Sequence, residues 1–376
     1  MRKRKGGAHL WRWSLLACAV QATLASAATN EFLDMSLEEL VDYRLMSMSR
    51  KEQRVADMAA AAYVISAEEI RRSGAQSIPE ALRLVPGLNV AQISRNRWAV
   101  SSRGFNERFS SKLLVQVDGR SVYSPLFSGV LWETQDTVME DIERIEVIRG
   151  PGAALWGTNA MNGVINIVTR SAAASQGTMV STTLGSGQLT SPSLTHAGAL
   201  AQGGHFKLYG KASSMGGTLE RDSGLMGVDG SHQKRLGVKL EPKVDGGQLS
   251  LKAEIYQDRS KDYWGTPSVL AYSDPTTPFA RNSALADLGE GAALQARYAW
   301  KSADGAENVL QASADKDRSI HTGIWGAGTG ARKPLADAPY LLQMGGEKTD
   351  VDVDFQQRKI RGDHYFIWGL NLRYDF

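Results

Sequence analysis

Between Asp141 and Arg170 the chain reads DIERIEVIRGPGAALWGTNAMNGVINIVTR, two β-prone runs around a glycine-rich break. Ile142, Ile145, Val147 and Ile148 give the first run, and Gly150-Pro151-Gly152 stops it. After Trp156-Gly157 the pattern resumes with Val164, Ile165, Ile167 and Val168. β-Branched side chains suit a pleated surface, and Gly and Pro punctuate it, so this spacing predicts strand, tight turn, strand. Glu143, Arg144, Glu146 and Arg149 place both signs of charge along the first strand, where they can pair with neighbouring strands.

The N-terminus reads as an export signal. Arg2, Lys3, Arg4 and Lys5 form a basic region, Leu15 to Leu24 an apolar core, and Ala25-Ser26-Ala27 an A-x-A site, which predicts cleavage after Ala27. The five basic residues of positions 1–27 leave with the signal, so 38 basic and 40 acidic residues remain. The formal charge of +3 therefore belongs largely to the signal, and nucleic-acid binding loses its electrostatic argument. The one cysteine, Cys18, lies in the signal, and the apolar run before it is too short for a lipoprotein box. A mature exported chain without cysteine has neither disulfides nor thiol chemistry. No run of about 20 apolar residues predicts a spanning helix, whereas alternating membrane strands remain allowed.

On the residues of segment 142–170, IERIEVIRGPGAALWGTNAMNGVINIVTR, the chain resembles the end of the plug domain of TonB-dependent outer-membrane receptors. Two further runs carry the same resemblance. SAEEIRRSGAQSIPEALRLVPGLNV has a capping box at Ser66–Glu69, a helix ended by Gly74, and a second helix opened by Ser77 with Pro79 in its first turn. SSRGFNERFSSKLLVQVDGRSVYSP has an R-G-F, a loop, a strand and the Asp118-Gly119 hairpin signal. The resemblance covers residues 45–170. It implies a signal peptide at 1–27, a coupling segment at 28–57, a plug at 58–170 and barrel strands at 171–376. The fold class expected is an α+β plug, with a small mixed sheet and short helices, followed by an antiparallel transmembrane β-barrel.

In this family a box near the mature N-terminus pairs as a strand with the energising TonB protein. Leu45, Met46, Ser47, Met48 and Ser49 lie at the corresponding place, in a β-tolerant stretch suited to strand addition. Ser36-Leu37-Glu38-Glu39 is a capping-box pattern that predicts a short helix over Leu37–Asp42.

The resemblance also implies that plug loops at the outer apex floor the cargo site. Arg95 and Arg97 lie in one such loop, Arg108 and Phe109 in a second, and Tyr123 and Phe127 in a third. The arginines are placed to bind an anionic iron chelate by charge-assisted bonds, and the aromatics to offer a flat apolar surface to a ligand ring. Solvated loop charge and packing against plug or wall are the plainer roles for the same side chains.

From Ser171 onward Gly, Ser and Thr increase and apolar residues alternate. Thr178–Leu184, His205–Ser213, Lys234–Val244, Gln248–Asp258, Ala292–Lys301, Asn308–Ala314, Asp350–Gln356 and Tyr365–Phe376 are predicted strands, with a long loop over Arg259–Glu290. Leu251, Ala253 and Ile255 are expected to face lipid, with Lys252 and Glu254 inward. Phe366, Trp368, Leu370, Leu372, Tyr374 and Phe376 share one side of the last strand. Residues 171–376 leave room for roughly ten strands of ~10 residues, against about 22 in a complete receptor. The expectation is therefore a truncated barrel, from a fragment, an early stop or a split gene.

No H-E-x-x-H, C-x-x-C, P-loop or G-x-S-x-G motif occurs, so no enzyme activity, cofactor or metal site is expected. Asp350, Asp352 and Asp354 share a strand face that reads as lumen-facing polarity rather than as a cation site. The resemblance implies TonB-energised uptake of a scarce nutrient, a ferric siderophore foremost. TonB with its inner-membrane complex, a small-molecule metal chelate and outer-membrane lipid are the partners implied. A non-transporting binding or signalling module is the alternative, and a secreted β-rich hydrolase a remote one.

Overall fold

The computed structural model describes residues 44–46, 52–54, 61–104, 106–150, 156–157, 159–186, 189–217, 229–262, 285–325, 340–362 and 364–376. The signal, the Leu37–Asp42 helix and the coupling residues Ser47, Met48 and Ser49 lie outside them. Leu45 and Met46 belong to a short strand, β1 (Arg44–Met46), which pairs antiparallel with β2 (Glu52–Arg54).

The plug begins with β3 (Ala61–Ser66), α1 (Ala67–Ser73) and α2 (Ile78–Leu82). The Ser66–Glu69 capping box is formed in both directions, and Gly74 closes α1 in the left-handed conformation. Ser77 caps α2 with Pro79 in its first turn. Next come β4 (Leu88–Gln92) and β5 (Trp98–Ser102), which pair, then β6 (Leu113–Val117), β7 (Arg120–Ser121), β8 (Tyr123–Ser124) and β9 (Gly129–Val130). Asp118 (φ 52) and Gly119 (φ 83) both take positive φ between β6 and β7, as a two-residue primed turn requires.

The two runs of the Asp141–Arg170 stretch are β10 (Ile142–Arg149) and β11 (Gly163–Thr169), paired antiparallel. They form the middle of a five-stranded sheet in the order β3-β10-β11-β6-β7, where β11 runs parallel to β6. Ile145, Val147, Ile165 and Ile167 are wholly buried with Ile65, Ile78 and Leu82, so α1 and α2 cover one face of this sheet. The apolar runs flagged by the sequence are thus the core of the plug.

Nine strands follow as a continuous antiparallel meander: β12 (Gly177–Gly185), β13 (Leu189–Ala199), β14 (Gly204–Met215), β15 (Ser231–Val244), β16 (Gly247–Asp262), β17 (Leu285–Lys301), β18 (Glu307–Trp325), β19 (Tyr340–Arg361) and β20 (His364–Asp375). Among the described residues β12 and β20 each pair on one side only. The predicted loop Arg259–Glu290 is shorter than expected, because β16 continues to Asp262 and β17 starts at Leu285. β13 had no strand signal in the sequence. Its Pro192 lacks an N–H, and residues 191 and 192 drop out of the ladder to β14.

The long strand connections all lie at one end. Residues 200–203, 245–246, 302–306 and 362–363 join strands at one end, whereas 186–188, 216–230, 263–284 and 326–339 join them at the other. Outer-membrane barrels keep short turns on the periplasmic side and long loops outside.

The outward face carries an apolar band. Leu251 and Ile255 point out while Lys252 and Glu254 point in, and Phe366 to Phe376 expose one continuous apolar side. On the outward side, Arg318 lies 3.4 Å from Glu290 and 3.8 Å from Glu347 at the long-loop margin of this band. Ten residues of tilted strand separate Glu290 from Trp300 on the same face, which spans about 25 Å, the height of a bilayer's apolar girdle. Tyr298 and Trp300 stack at 5.1 Å near the lower boundary, where interfacial aromatics belong.

Candidate functional site

The plug turns a polar surface to the inner face of these strands. Arg120 reaches from β7 into the wall and pairs with Glu254 on β16 at 2.6 Å and with Asp315 on β18. Lys207 of β14 is wholly buried, and its Nζ donates to Asp141 at 2.6 Å. Lys211 donates to Asp136 at 2.5 Å, and Gln233 Nε2 to the Glu133 carbonyl at 2.6 Å. Charges buried this deeply persist only when paired, so strand and plug sequences are matched residue by residue.

Arg95, Arg97 and Phe127 have their wall and loop partners toward the long-loop end of the strands. Arg97, however, is buried between the β4–β5 turn and the wall, where it pairs with Asp287 of β17. Burial and repulsion from Arg108 lower its pKa, while Glu133 and Asp258 oppose the shift. Arg108 lies 2.5 Å from Glu133. Burial raises the Glu133 pKa, but Arg108 and then Arg97 outweigh it and hold the carboxyl below its ordinary value. Two of the three apical arginines therefore pair with carboxylates of the protein itself. Arg95 is half-buried. Its N–H donates to Asp229 at 2.9 Å and its guanidinium to the Ser186 carbonyl at 2.9 Å, so it ties the β4–β5 turn to two outer connections.

The aromatics do assemble. Phe109 and Phe127 stack at 5.4 Å with their planes 18° apart, and Phe127 meets the His321 ring edge-on at 5.0 Å. The Arg108 guanidinium sits 4.8 Å over Phe109. This stack depends on a glycine: a Cβ on Gly129 would stand 2.7 Å from Phe109 Cα, so β9 approaches the Arg108–Phe109 loop as only glycine permits. Tyr123 is separate and half-buried, and its carbonyl accepts from Arg373 of β20 at 3.5 Å.

The sequence reading missed two apolar side chains at these loops. Ile93, just past β4, is 54% exposed, and Leu126, beside Phe127, is 47% exposed. Apolar residues at a strand end beside a turn are the only signal that could have found them. The apex thus offers apolar and aromatic surface with one partly committed arginine, an arrangement suited to the face of a large ring system rather than to a triple-arginine clamp. Among the described residues no cluster of three or more potential metal ligands occurs.

Known proteins share this fold. Residues 54–164 match the model of the TonB-dependent Receptor Plug Domain. The vitamin B12 transporter of Vibrio vulnificus is 35% identical over 199 residues, which cover 52% of this chain and 31% of that protein. The vitamin B12 transporter of Photobacterium profundum is 30% identical over 238 residues, covering 62% and 38%. The ferripyoverdine receptor of the Pseudomonas aeruginosa outer membrane superposes with a TM-score of 0.69 at 15% identity, covering 88% of this chain and 44% of that one. For the ferric yersiniabactin uptake receptor of Yersinia pestis the values are 0.61, 16%, 84% and 48%. The chain spans about a third of the length of these curated relatives and just under half of these solved structures. With a matching plug sequence over residues 54–164 and a fold shared through the strands that follow it, the chain carries a TonB-dependent receptor plug domain and is similar to the outer-membrane receptors of that kind.

Proposed function

We propose that the chain binds a metal chelate of large ring surface at the plug apex and serves its TonB-energised uptake across the outer membrane. Residues 28–57 would couple to TonB through Leu45 to Ser49, residues 58–170 would form the plug, and residues 171–376 would line the lumen. The stack of Phe109 on Phe127, with Leu126 exposed beside Phe127 in the chain and Ile93 exposed just past β4, carries this reading. It favours a corrinoid such as vitamin B12, the cargo named for the relatives at 30–35% identity. A ferric siderophore, the cargo class named for the more distant solved receptors, is the second reading, and Arg95 is the residue that supports it.

The test is equilibrium binding of cyanocobalamin and of a panel of ferric siderophores to the purified protein in detergent. Saturable cobalamin binding weakened by Phe127→Ala supports the first reading. Siderophore binding weakened by Arg95→Gln supports the second. Binding of neither would leave the apex without its proposed role. Unchanged affinity after joint alanine substitution of Arg95, Arg97 and Arg108 would remove the arginines from the site.

A further inference from the structure

Away from the apex, a cavity of about 730 Å³ opens between the plug sheet and the short-turn halves of β15 to β20. The Asp118-Gly119 hairpin stands at its edge, and Gln116 and Asn166 line its plug side. Its volume lies within the range of about 300–1,000 Å³ typical of small-molecule sites. Seven cationic side chains and four carboxylates line it, an excess of positive charge.

Several of these cations are already paired. Lys252 is 3.0 Å from Asp118, Lys239 is 3.5 Å from Glu241, and Arg373 is 2.9 Å from Asp375. Arg297 of β17 differs. It is half-buried on the inward side of its strand, and it has neither hydrogen-bond nor ion-pair partner among the described residues. The charges in electrostatic range of it are a second cation, Arg358, and Asp118, whose carboxylate is already held by Lys252 and Thr169. A guanidinium has five donors in a planar fork that matches carboxylate and phosphate oxygens. Its guanidinium opens on the cavity beside a second cation, where a bound oxyanion would supply charge-assisted hydrogen bonds and relieve the like-charge repulsion.

We propose that this chamber is an inner oxyanion site, in which Arg297 contacts the carboxylate or phosphate of a solute and Arg358 adds to the field. The site faces the short-turn side and shares no residue with the apical aromatics. It is therefore a separate station for an anionic group, and its existence does not depend on which cargo the apex takes.

The experiment is calorimetric titration of the detergent-solubilised chain with inorganic pyrophosphate, free of divalent cations and at constant ionic strength. One saturable site is expected. Arg297→Gln should weaken it about tenfold, roughly one charge-assisted hydrogen bond. Arg297→Lys should recover part of the loss, and Arg318→Gln on the outward face should change nothing. Arg297→Gln should also keep or raise the melting temperature, because it removes a cation that faces a second cation. No saturable binding, equal weakening by Arg318→Gln, or a lowered melting temperature in Arg297→Gln would each overturn the proposal.

Discussion

Lys252 Nζ lies 3.0 Å from Asp118 Oδ2 and so joins the inner face of β16 to the plug hairpin. The same carboxylate accepts the Thr169 N–H and hydroxyl, each at 2.8 Å, and Gln295 of β17 donates to the Asp118 carbonyl at 2.8 Å. One acid therefore fixes a plug turn, the end of β11 and two wall strands. Asp118→Asn should destabilise the protein by about 3–5 kcal/mol, the usual cost of breaking a buried pair on one side. Urea denaturation of the purified protein measures it. Asp118→Asn combined with Lys252→Met should recover much of the loss, since no charge is then left unpaired.

The same node predicts an acid limit. Burial raises the Asp118 pKa, but Lys252, Lys239 and the Thr169 N–H outweigh it and bring it down to about 2. A carboxyl depressed by folding stabilises fully above its unfolded value of about 3.9, and that contribution of roughly 2.5 kcal/mol disappears as pH falls toward 2. The urea midpoint of wild type should therefore drop between about pH 4 and pH 2 more steeply than that of Asp118→Asn. Parallel curves for the two proteins would refute the assignment.

At the apex, Arg97 pairs with Asp287, and Asp287 also lies 3.3 Å from His321 Nδ1. Arg97→Met should cost about 3–5 kcal/mol of stability by removing the guanidinium that faces the buried Asp287 carboxylate. Arg95→Ala, at a half-exposed position, should cost about 1 kcal/mol or less. A double-mutant cycle over Arg97 and Asp287 should show a coupling of at least about 1 kcal/mol.

The outward face of β20 offers a test of lipid contact. Leu370→Arg places a cation in the apolar band and should reduce stability in liposomes by about 2–4 kcal/mol. Asn371→Arg points inward, beside Asp352 and Asp354, and should be tolerated. Equal effects at the two neighbouring positions would contradict the register of Phe355 opposite Leu370.

Gly129→Ala should disturb the apex without touching the wall. Its Cβ would fall 2.7 Å from Phe109 Cα, so the loop must move and the stack on Phe127 must open. A loss of about 0.5–1.5 kcal/mol from the aromatic pair is expected in addition to backbone strain. Thermal denaturation of Gly129→Ala beside Phe127→Ala would separate the two contributions.

Local chemistry made much of this fold legible. The Ser66 capping box, Gly74, Pro79 and the Asp118-Gly119 turn each act within four residues, and each forms as its residues dictate. Alternation exposed the lipid face of β16 and β20 in the same way. β13 stayed hidden because its Ser, Thr and Pro residues carry no apolar alternation, so its neighbours rather than its sequence make it a strand. The apical arginines show the limit most plainly. A cation in a loop looks the same in sequence whether it meets cargo or Asp287, and the partner lies 190 residues away.

The seam between plug and wall is built from lysine, arginine, aspartate, glutamate and glutamine rather than from leucine and valine. An oily seam resists parting until the last contact lets go, because water gains nothing by entering it. A charged one behaves as a wet bearing: every pair that opens is met on both sides by solvent, so separation can proceed in small reversible steps. A pull applied from one end would then be spent contact by contact, and a plug that had slipped could find its register again from the same charges that guided it in.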